Sequence, residues 1–532
     1  MSGLAGTGAL VRLALRRDRV MLPAWIVVFV AMAAGSASAT VGLYPTVESR
    51  VQAAAATNST PSLVALYGRV YDPTSLGAVA MLKLSGIGAA LVAVLAIILV
   101  VRHTRAEEES GRLELLGAGV VGRYAGLTAA LLVTVGASVV LGLFTAAGLV
   151  GAGLPAAGSV AFGLAWAGVG IAFAAIAAIA AQLTESARSA TSIASGALGV
   201  VYLLRAIGDT ASVGGPRWLS WLSPIGWGQQ FRPYAGNRWW VLLITLAFAA
   251  AATVGAYALV ARRDLGAGLL PDRPGPATAA PRLRSPLALA WRLHRGALLG
   301  WTAAFVVLGA VFGNVASSVG EFLGSPQARD MITKLGGRQG LTDAFLAAEL
   351  GIVGVIASVF GVQAAMRLRA EETALRAEPL LATAVGRIRW AASHLTMALG
   401  GTAALLAGAG VGAGLAHGAQ ARDLGEFWRV LGGALVQVPA AWVVTAIVVA
   451  TFGLAPRLVV AGWVALVAFL LVGELGPLLE LDQRVMDLSP FAHVPKIPGA
   501  ALSATPLVLL LAVAAGLTAA GLAGFRHRDT PA

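Results

Sequence analysis

Carboxylates and guanidiniums crowd into one short stretch of this chain, Arg102-His103-Thr104-Arg105-Ala106-Glu107-Glu108-Glu109-Ser110-Gly111-Arg112-Leu113-Glu114-Leu115-Leu116. It is the densest charge cluster in a chain that is otherwise mostly hydrocarbon. The stretch also recurs: Arg105 to Arg123 aligns without a gap onto Arg369 to Arg387, an offset of 264, with eleven of nineteen positions identical. Arg105/Arg369, Glu107/Glu371, Glu108/Glu372, Arg112/Arg376 and Glu114/Glu378 all coincide. A solvated run of charge beside an apolar segment explains one copy. Two copies in register argue for a docking surface for another protein. Glu108 and Arg112 stand four apart, as do Ser110 and Glu114, which predicts a short helix with i,i+4 pairs. Leu113, Leu115 and Leu116 could then cover an apolar groove while the acids stay wet, and Gly111 would let the chain bend. The stretch reads as an exposed lever continuous with the preceding span.

Other engines are missing from the sequence. No G-x-x-x-x-G-K-[ST] occurs, and none of the three lysines (Lys83, Lys334, Lys496) follows a glycine. No H-E-x-x-H, no partnered G-x-S-x-G and no histidine cluster is present, and there is no metal signature. The absence of cysteine removes thiolate and disulfide chemistry. Ionisable groups inside the bilayer are costly and usually functional. Only Glu349 and Glu474 lie in or near apolar runs, both toward an end, where an interfacial position suits them.

The elements that carry this stretch follow from composition. The chain is 58% hydrophobic and 12% charged over 532 residues, whereas soluble domains carry about 25% charge. Apolar windows of about 20 residues recur throughout, each able to cross roughly 30 Å of hydrocarbon as a helix. Runs such as 91–101 show no polar alternation, which excludes a barrel. The fold class is therefore an all-α polytopic membrane protein with about 12 spans. Six fall near 20–41, 76–101, 124–150, 160–183, 190–207 and 239–261, and six near 297–315, 344–366, 390–415, 430–452, 458–475 and 506–525. The first copy comprises 1–261, with an interfacial helix at 4–19 and the charged stretch at 102–123; the second comprises 287–532, with its stretch at 367–389. Between them, 262–286 is a Pro/Arg-rich segment that favours an extended linker.

Further matches support a duplication. Leu13–Phe29 aligns onto Leu289–Phe305 at offset 276, Leu222-Ser223-Pro224 onto Leu488-Ser489-Pro490 at 266, and Arg263-Asp264 onto Arg528-Asp529 at 265. Arg12, Arg16, Arg17 and Arg19 before an apolar run and Ala37-Ser38-Ala39 mimic a secretory signal. A segment that recurs in mid-chain is a structural span, so it is expected to be retained. Six spans per half make the two repeats parallel. The distribution of Lys and Arg favours cytoplasmic termini, charged stretches and linker. The net charge of +13 is thus a topological signal and calls for no nucleic acid.

The pattern Glu107-x-Glu109-x-Gly111-x-x-Glu114-x-Leu116 between the second and third of six spans resembles the coupling-helix signature of type-two ABC exporter permeases. The leading amphipathic helix resembles their elbow helix, and Leu-Ser-Pro before the sixth span resembles their external re-entrant segment. The double-length form is similar to bacterial permeases that export polyketide antibiotics and other drugs. The resemblance implies an ATP-driven exporter subunit of the bacterial plasma membrane that is not itself an enzyme. Two copies of a separate ATPase subunit would bind ATP and Mg and dock on Arg105, Glu107, Glu108, Glu109, Gly111, Arg112 and Glu114, and on Arg369, Glu371, Glu372, Arg376 and Glu378. Copy two departs from the signature at Thr373 and Leu375, so the halves would dock unequally. An apolar or amphipathic cargo suits the Ala/Val/Leu/Gly spans. Ser223, Pro224, Trp227, Ser489 and Pro490 would form an external gate, or else the aromatics Trp218, Trp221, Trp227, Phe231, Tyr234, Trp239 and Trp240 are an interfacial belt. Asn314, Gln363, His394 and Gln437 either line a pathway or bond between helices. A twelve-span ion-coupled carrier is the competing reading, although the G-x-x-x-D-R-x-G-R-R signature of such carriers is missing. A transmitter regulating a cell-wall enzyme is disfavoured, because no external segment exceeds about 35 residues, too few for a folded domain.

Overall fold

The computed structural model describes residues 3–112, 121–211, 215–264, 266–270, 278, 280–318, 337–475 and 482–528. The chain separates into two units, Met1–Gly275 and Pro276–Ala532, with the division inside the Pro/Arg-rich segment. Every regular element among the described residues is helical.

In the first unit α1 (Thr7–Arg17) and α2 (Met21–Leu43) are followed by α3 (Val47–Ser59) and α4 (Pro61–Tyr67). The sequence reading gave the polar segment after Leu43 no elements. Two local devices build them: Thr46 caps α3 by accepting from the Ser49 amide, and Pro61 opens α4 at its first position. Arg205 then donates to the carbonyls of Ala65 and Leu66 at the end of α4, where a cation complements the helix dipole. Next come α5 (Leu76–Ala80), one π-helical turn over Leu84–Gly88, and α6 (Ala89–His103). The Trp166 indole donates to the Leu84 carbonyl in that turn. After α7 (Arg105–Glu109) the unit continues with α8 (Ala125–Gly151), α9 (Ala156–Leu183), α10 (Ala187–Thr210), α11 (Pro224–Gln230) and α12 (Val241–Ala261).

The second unit holds α13 (Pro286–Ser318), α14 (Gly337–Thr373), α15 (Ala377–Leu381), α16 (Arg387–Ala421), α17 (Leu424–Leu435), α18 (Val438–Leu454), α19 (Ala461–Leu475), α20 (Gln483–Met486) and α21 (Ala504–His527). Among the described residues eleven helices are long and apolar enough to cross a membrane. At the place expected for a twelfth, α19 has 15 residues, about 22 Å at helical rise.

Within each unit the fourth span is the buried centre. In the first unit α9 presents Ala and Gly on every face and packs against α6, α8, α10 and α12; in the second, α18 packs between α14 and α21. Water cannot drive helices together inside lipid, so close approach of small residues does the work. A Cβ on Gly142 or Gly163 would strike the other's carbonyl; between α18 and α21 a Cβ on Gly453 would strike the Gly521 carbonyl, and one on Gly521 the Val449 carbonyl.

Gly453→Leu should therefore force α18 and α21 apart and cost about 3 kcal/mol, the upper range for overpacking. Gly516, on the same α21, has nothing within 4 Å of an added Cβ, so Gly516→Ala should hold or slightly raise the detergent-solubilised melting midpoint. Equal midpoints for the two variants would refute the close approach.

Candidate functional site

The two charged stretches adopt one design. In the first unit α6 ends at His103, Thr104 breaks the helix with φ −123° and ψ −90°, and α7 follows at once. Gly111 then turns the chain at φ +69°. In the second unit α14 runs unbroken through Thr373, and Leu375 takes the same turn at φ +55°. The Leu375 amide donates to the Glu372 carbonyl and the Arg376 amide to the Glu371 carbonyl. That pattern is a Schellman termination with a leucine where glycine is usual. The loss of Gly111's counterpart in the sequence thus leaves the backbone route intact, at a conformational cost of about 1–2 kcal/mol.

The expectation that the acids stay wet holds for Glu109 and Glu378 and is corrected for Glu108, Glu371 and Glu372 by their partners. Glu108 is buried between two guanidiniums: Arg105 Nη1 lies 2.8 Å from its Oε2, and Arg263 donates to Oε2 at 2.8 Å and to Oε1 at 2.6 Å. Glu372 repeats this with Arg369 at 2.7 Å and Arg528 at 2.6 Å. Glu107 pairs with Arg17 of α1 and stands 3.7 Å from Arg112; Glu371 stands 3.1 Å from Arg367 and 3.8 Å from Arg376. The reason is energetic. A carboxylate at the end of an apolar span loses hydration, and a neighbouring guanidinium fork supplies bidentate hydrogen bonds in its place.

The predicted Glu108–Arg112 pair is also replaced. The helix stops at Glu109, and the left-handed turn at Gly111 swings Arg112 back to Glu107. Nor is the first lever rigidly continuous with its span, because Thr104 interrupts it. Glu114, Leu113, Leu115 and Leu116 lie outside the described residues. Exposed positions in the two turns are Glu109, Ser110, Arg112, Thr373, Ala374, Leu375, Arg376 and Glu378.

The copies differ in how they are tied down. Arg105 is fully buried and donates to the carbonyls of Ala181, Gly266 and Ala267, whereas the Arg369 side chain keeps 25% of its surface. Glu109 accepts from the Ala187 amide at the first residue of α10; its counterpart Thr373 bonds back into its own helix. Asp18, fully buried, meets Arg102 at 3.2 Å and His103. Its aligned residue is His294, which bonds His394 at 3.2 Å. His394 is thus an interhelical partner, as is Asn314, which accepts from Gln420. Gln437 is buried and Gln363 exposed.

Sequence reasoning missed Arg263 and Arg528 as members of the site. Each closes its copy in the sequence, and their nearly equal spacing from the acids, 155 and 156 residues, was the available signal. Burial against Phe452 and Phe525 pulls the Arg528 pKa down, and Glu372 pulls it back up. Each acidic turn stands over a cleft. That of the second unit measures about 540 Å³, with Glu372, Leu375, Glu378, Leu381 and Arg387 in its wall; that of the first measures about 250 Å³, with His103, Glu108, Gln182 and Arg263.

The two Leu-Ser-Pro elements diverge. Ser223, buried, caps α11 by accepting from the Gly226 amide at 3.2 Å, with Pro224 at the first helical position. Trp227 is buried edge-on against Phe248 and donates to the Trp221 carbonyl. Pro224, Trp227 and Phe231 border a cavity of only about 10 Å³. Trp218, Trp239 and Trp240 are exposed, as an interfacial belt would be. Ser489 precedes a single turn, Pro490–His493, with no side-chain cap, and its hydroxyl has no partner.

A family model described as "Multidrug efflux system permease Rv1217c, C-terminal domain" matches residues 8–260 and 283–526. The chain is 49% identical over 531 residues to the "Multidrug efflux system permease protein Rv1217c" of Mycobacterium tuberculosis (strain ATCC 25618 / H37Rv), an alignment that covers 99% of this chain and 96% of that protein.

Two stability results follow from this geometry. Leu375→Gly removes left-handed strain of about 1–2 kcal/mol against a backbone-entropy cost of about 0.5–1, so it should raise the melting midpoint, and Gly111→Leu should lower it. Ser223→Ala should cost about 1 kcal/mol through the lost cap, while Ser489→Ala, which breaks no hydrogen bond, should be nearly neutral. Identical shifts within either pair would contradict the assignment.

Proposed function

Since the chain belongs to the Rv1217c family of multidrug efflux permeases, we propose that it is the membrane-spanning subunit of an ATP-driven exporter of hydrophobic or amphipathic drugs. It works in the bacterial plasma membrane with both termini in the cytoplasm. ATP and Mg are held by two copies of a separate ATPase subunit, and the spans alternate between inward and outward access. The observation that carries this reading is the duplicated charged turn. In both copies it passes through a left-handed residue, holds one acid between two guanidiniums and stands after the second span, while the sequence has no nucleotide-binding loop of its own. A duplicated, partly exposed turn beside an engine-less bundle is what a pair of driving subunits needs.

The burial of Glu108, Glu371 and Glu372 refines where contact falls. The docking groups are the exposed turn residues, among them Arg112, Leu375, Arg376 and Glu378, and the buried acids hold those turns in shape. Leu375→Asp with Arg376→Glu should lower recovery of the ATPase with the tagged chain by about tenfold, with membrane insertion unchanged. Inverted vesicles carrying both subunits should accumulate an amphipathic dye only with ATP. Accumulation that persists without ATP and collapses with a protonophore would overturn the reading in favour of an ion-coupled carrier.

A further inference from the structure

We infer that Arg263 and Arg528 are positioning residues: each latches the cytoplasmic end of its unit's last span onto the acidic turn, so that force applied to the turn moves that span. The inference rests on the proposed function for the source of the force and on the geometry for its path.

Each latch has two stitches. The first is the guanidinium–carboxylate pair. Arg263 forks onto both oxygens of Glu108 and donates Nε to Gln182 at 2.7 Å; Arg528 reaches Glu372 at 2.6 Å while its guanidinium lies 4.9 Å above the Phe452 ring. The second runs the other way. Arg123, at the far end of the first charged stretch, donates to the carbonyls of Val260, Ala261 and Arg263. Arg387 does the same with the carbonyls of Arg526 and Arg528. The turn and the end of the last span are thus tied from both sides, across 155 residues of sequence in one unit and 156 in the other.

The comparison between copies isolates what matters. The tie from Arg17 to Glu107 has no counterpart, because Leu293 aligns with Arg17; the tie from Glu109 to α10 has none either, because Thr373 aligns with Glu109. Both stitches of the latch are present in both copies. Stability alone is a weak reason to keep them, since apolar residues of similar volume often do as well as a buried ion pair. A pair that fixes register between two moving elements has a reason to persist. The exposed part of the turn is then free to meet a partner while its inner face grips the span.

The test uses the assembled complex in vesicles. Arg263→Gln with Arg528→Gln should keep ATP hydrolysis within about twofold while cargo moved per ATP falls about fivefold or more, the scale of a lost coupling energy. Arg262→Gln with Arg526→Gln removes equal charge from exposed neighbours and should leave the ratio unchanged. An unaltered ratio in the latch variants, or an equal fall in the control, overturns the inference. A second arm needs no ATPase. The chain has no cysteine, so nitroxides can be placed at Ser110→Cys with Arg262→Cys, and at Thr373→Cys with Arg526→Cys. Each pair should give one narrow distance distribution that broadens when Glu108→Gln or Glu372→Gln is added; an unchanged distribution overturns the latch. If the unaltered complex shows no ATP-driven transport, the proposed function fails, and the distance measurement still decides the latch.

Discussion

A carboxylate at the rim of a membrane span must be neutralised by a cation or remain in water. In this protein the constraint is met twice, by Arg263 on Glu108 and by Arg528 on Glu372. Much of the end of each unit that carries the turn follows from it. The turn after the second span is drawn to the end of the sixth, and the helix that carries the acids is followed by a left-handed residue. The exposed side chains are those that the pairing leaves over. Removing one partner would strand the other in a poorly hydrated pocket, a penalty of about 3–5 kcal/mol, so the arrangement is close to obligatory once the sixth span brings its arginine there.

The interior obeys a different rule. Inside lipid no hydrophobic force sorts helices, so the buried centre of each unit is its most compact helix surface. The fourth span supplies it: α9 buries Ala172, Ala174, Ala177, Ala178 and Ala181 on several faces at once, and α18 buries Ala440, Ala441, Val444 and Ala446. Outer spans such as α2, α13 and α21 keep Val27, Leu299 and Val508 exposed, as lipid contact requires. Hydropathy alone hardly separates these classes, because Ala and Gly are nearly indifferent to transfer whereas their size decides how close a neighbour can come.

Legibility in the sequence divides along the same line. The spans could be read because apolar runs of membrane length have few other uses, and the register of the copies because identities recur at offsets that stay between 264 and 276. At Leu375 the sequence shows a departure from the first copy and hides what is kept: composition favours glycine at a left-handed position, yet the Schellman bonds carry a leucine through it. The wetness of the acids was misread for a more general reason. A local charge run shows which groups are present and hides which distant group reaches them, and Arg263 lies 155 positions away. The helices α3 and α4 escaped notice because their signals are caps and a leading proline, with little apolar periodicity.

The differences between the copies have a physical direction. The first charged stretch is held by α1 through Arg17, by α10 through Glu109, and by residues 266–267 through Arg105. The second has none of these and keeps its arginine partly exposed. Each extra bond narrows the set of positions that a turn can occupy, so the first turn is the stiffer of the two. A stiff turn transmits a push with little loss, and a loosely held one can adjust to the surface that meets it. The two turns therefore differ in restraint more than in route: the left-handed residue of the second stands where that of the first does, and what the second lacks is the ties.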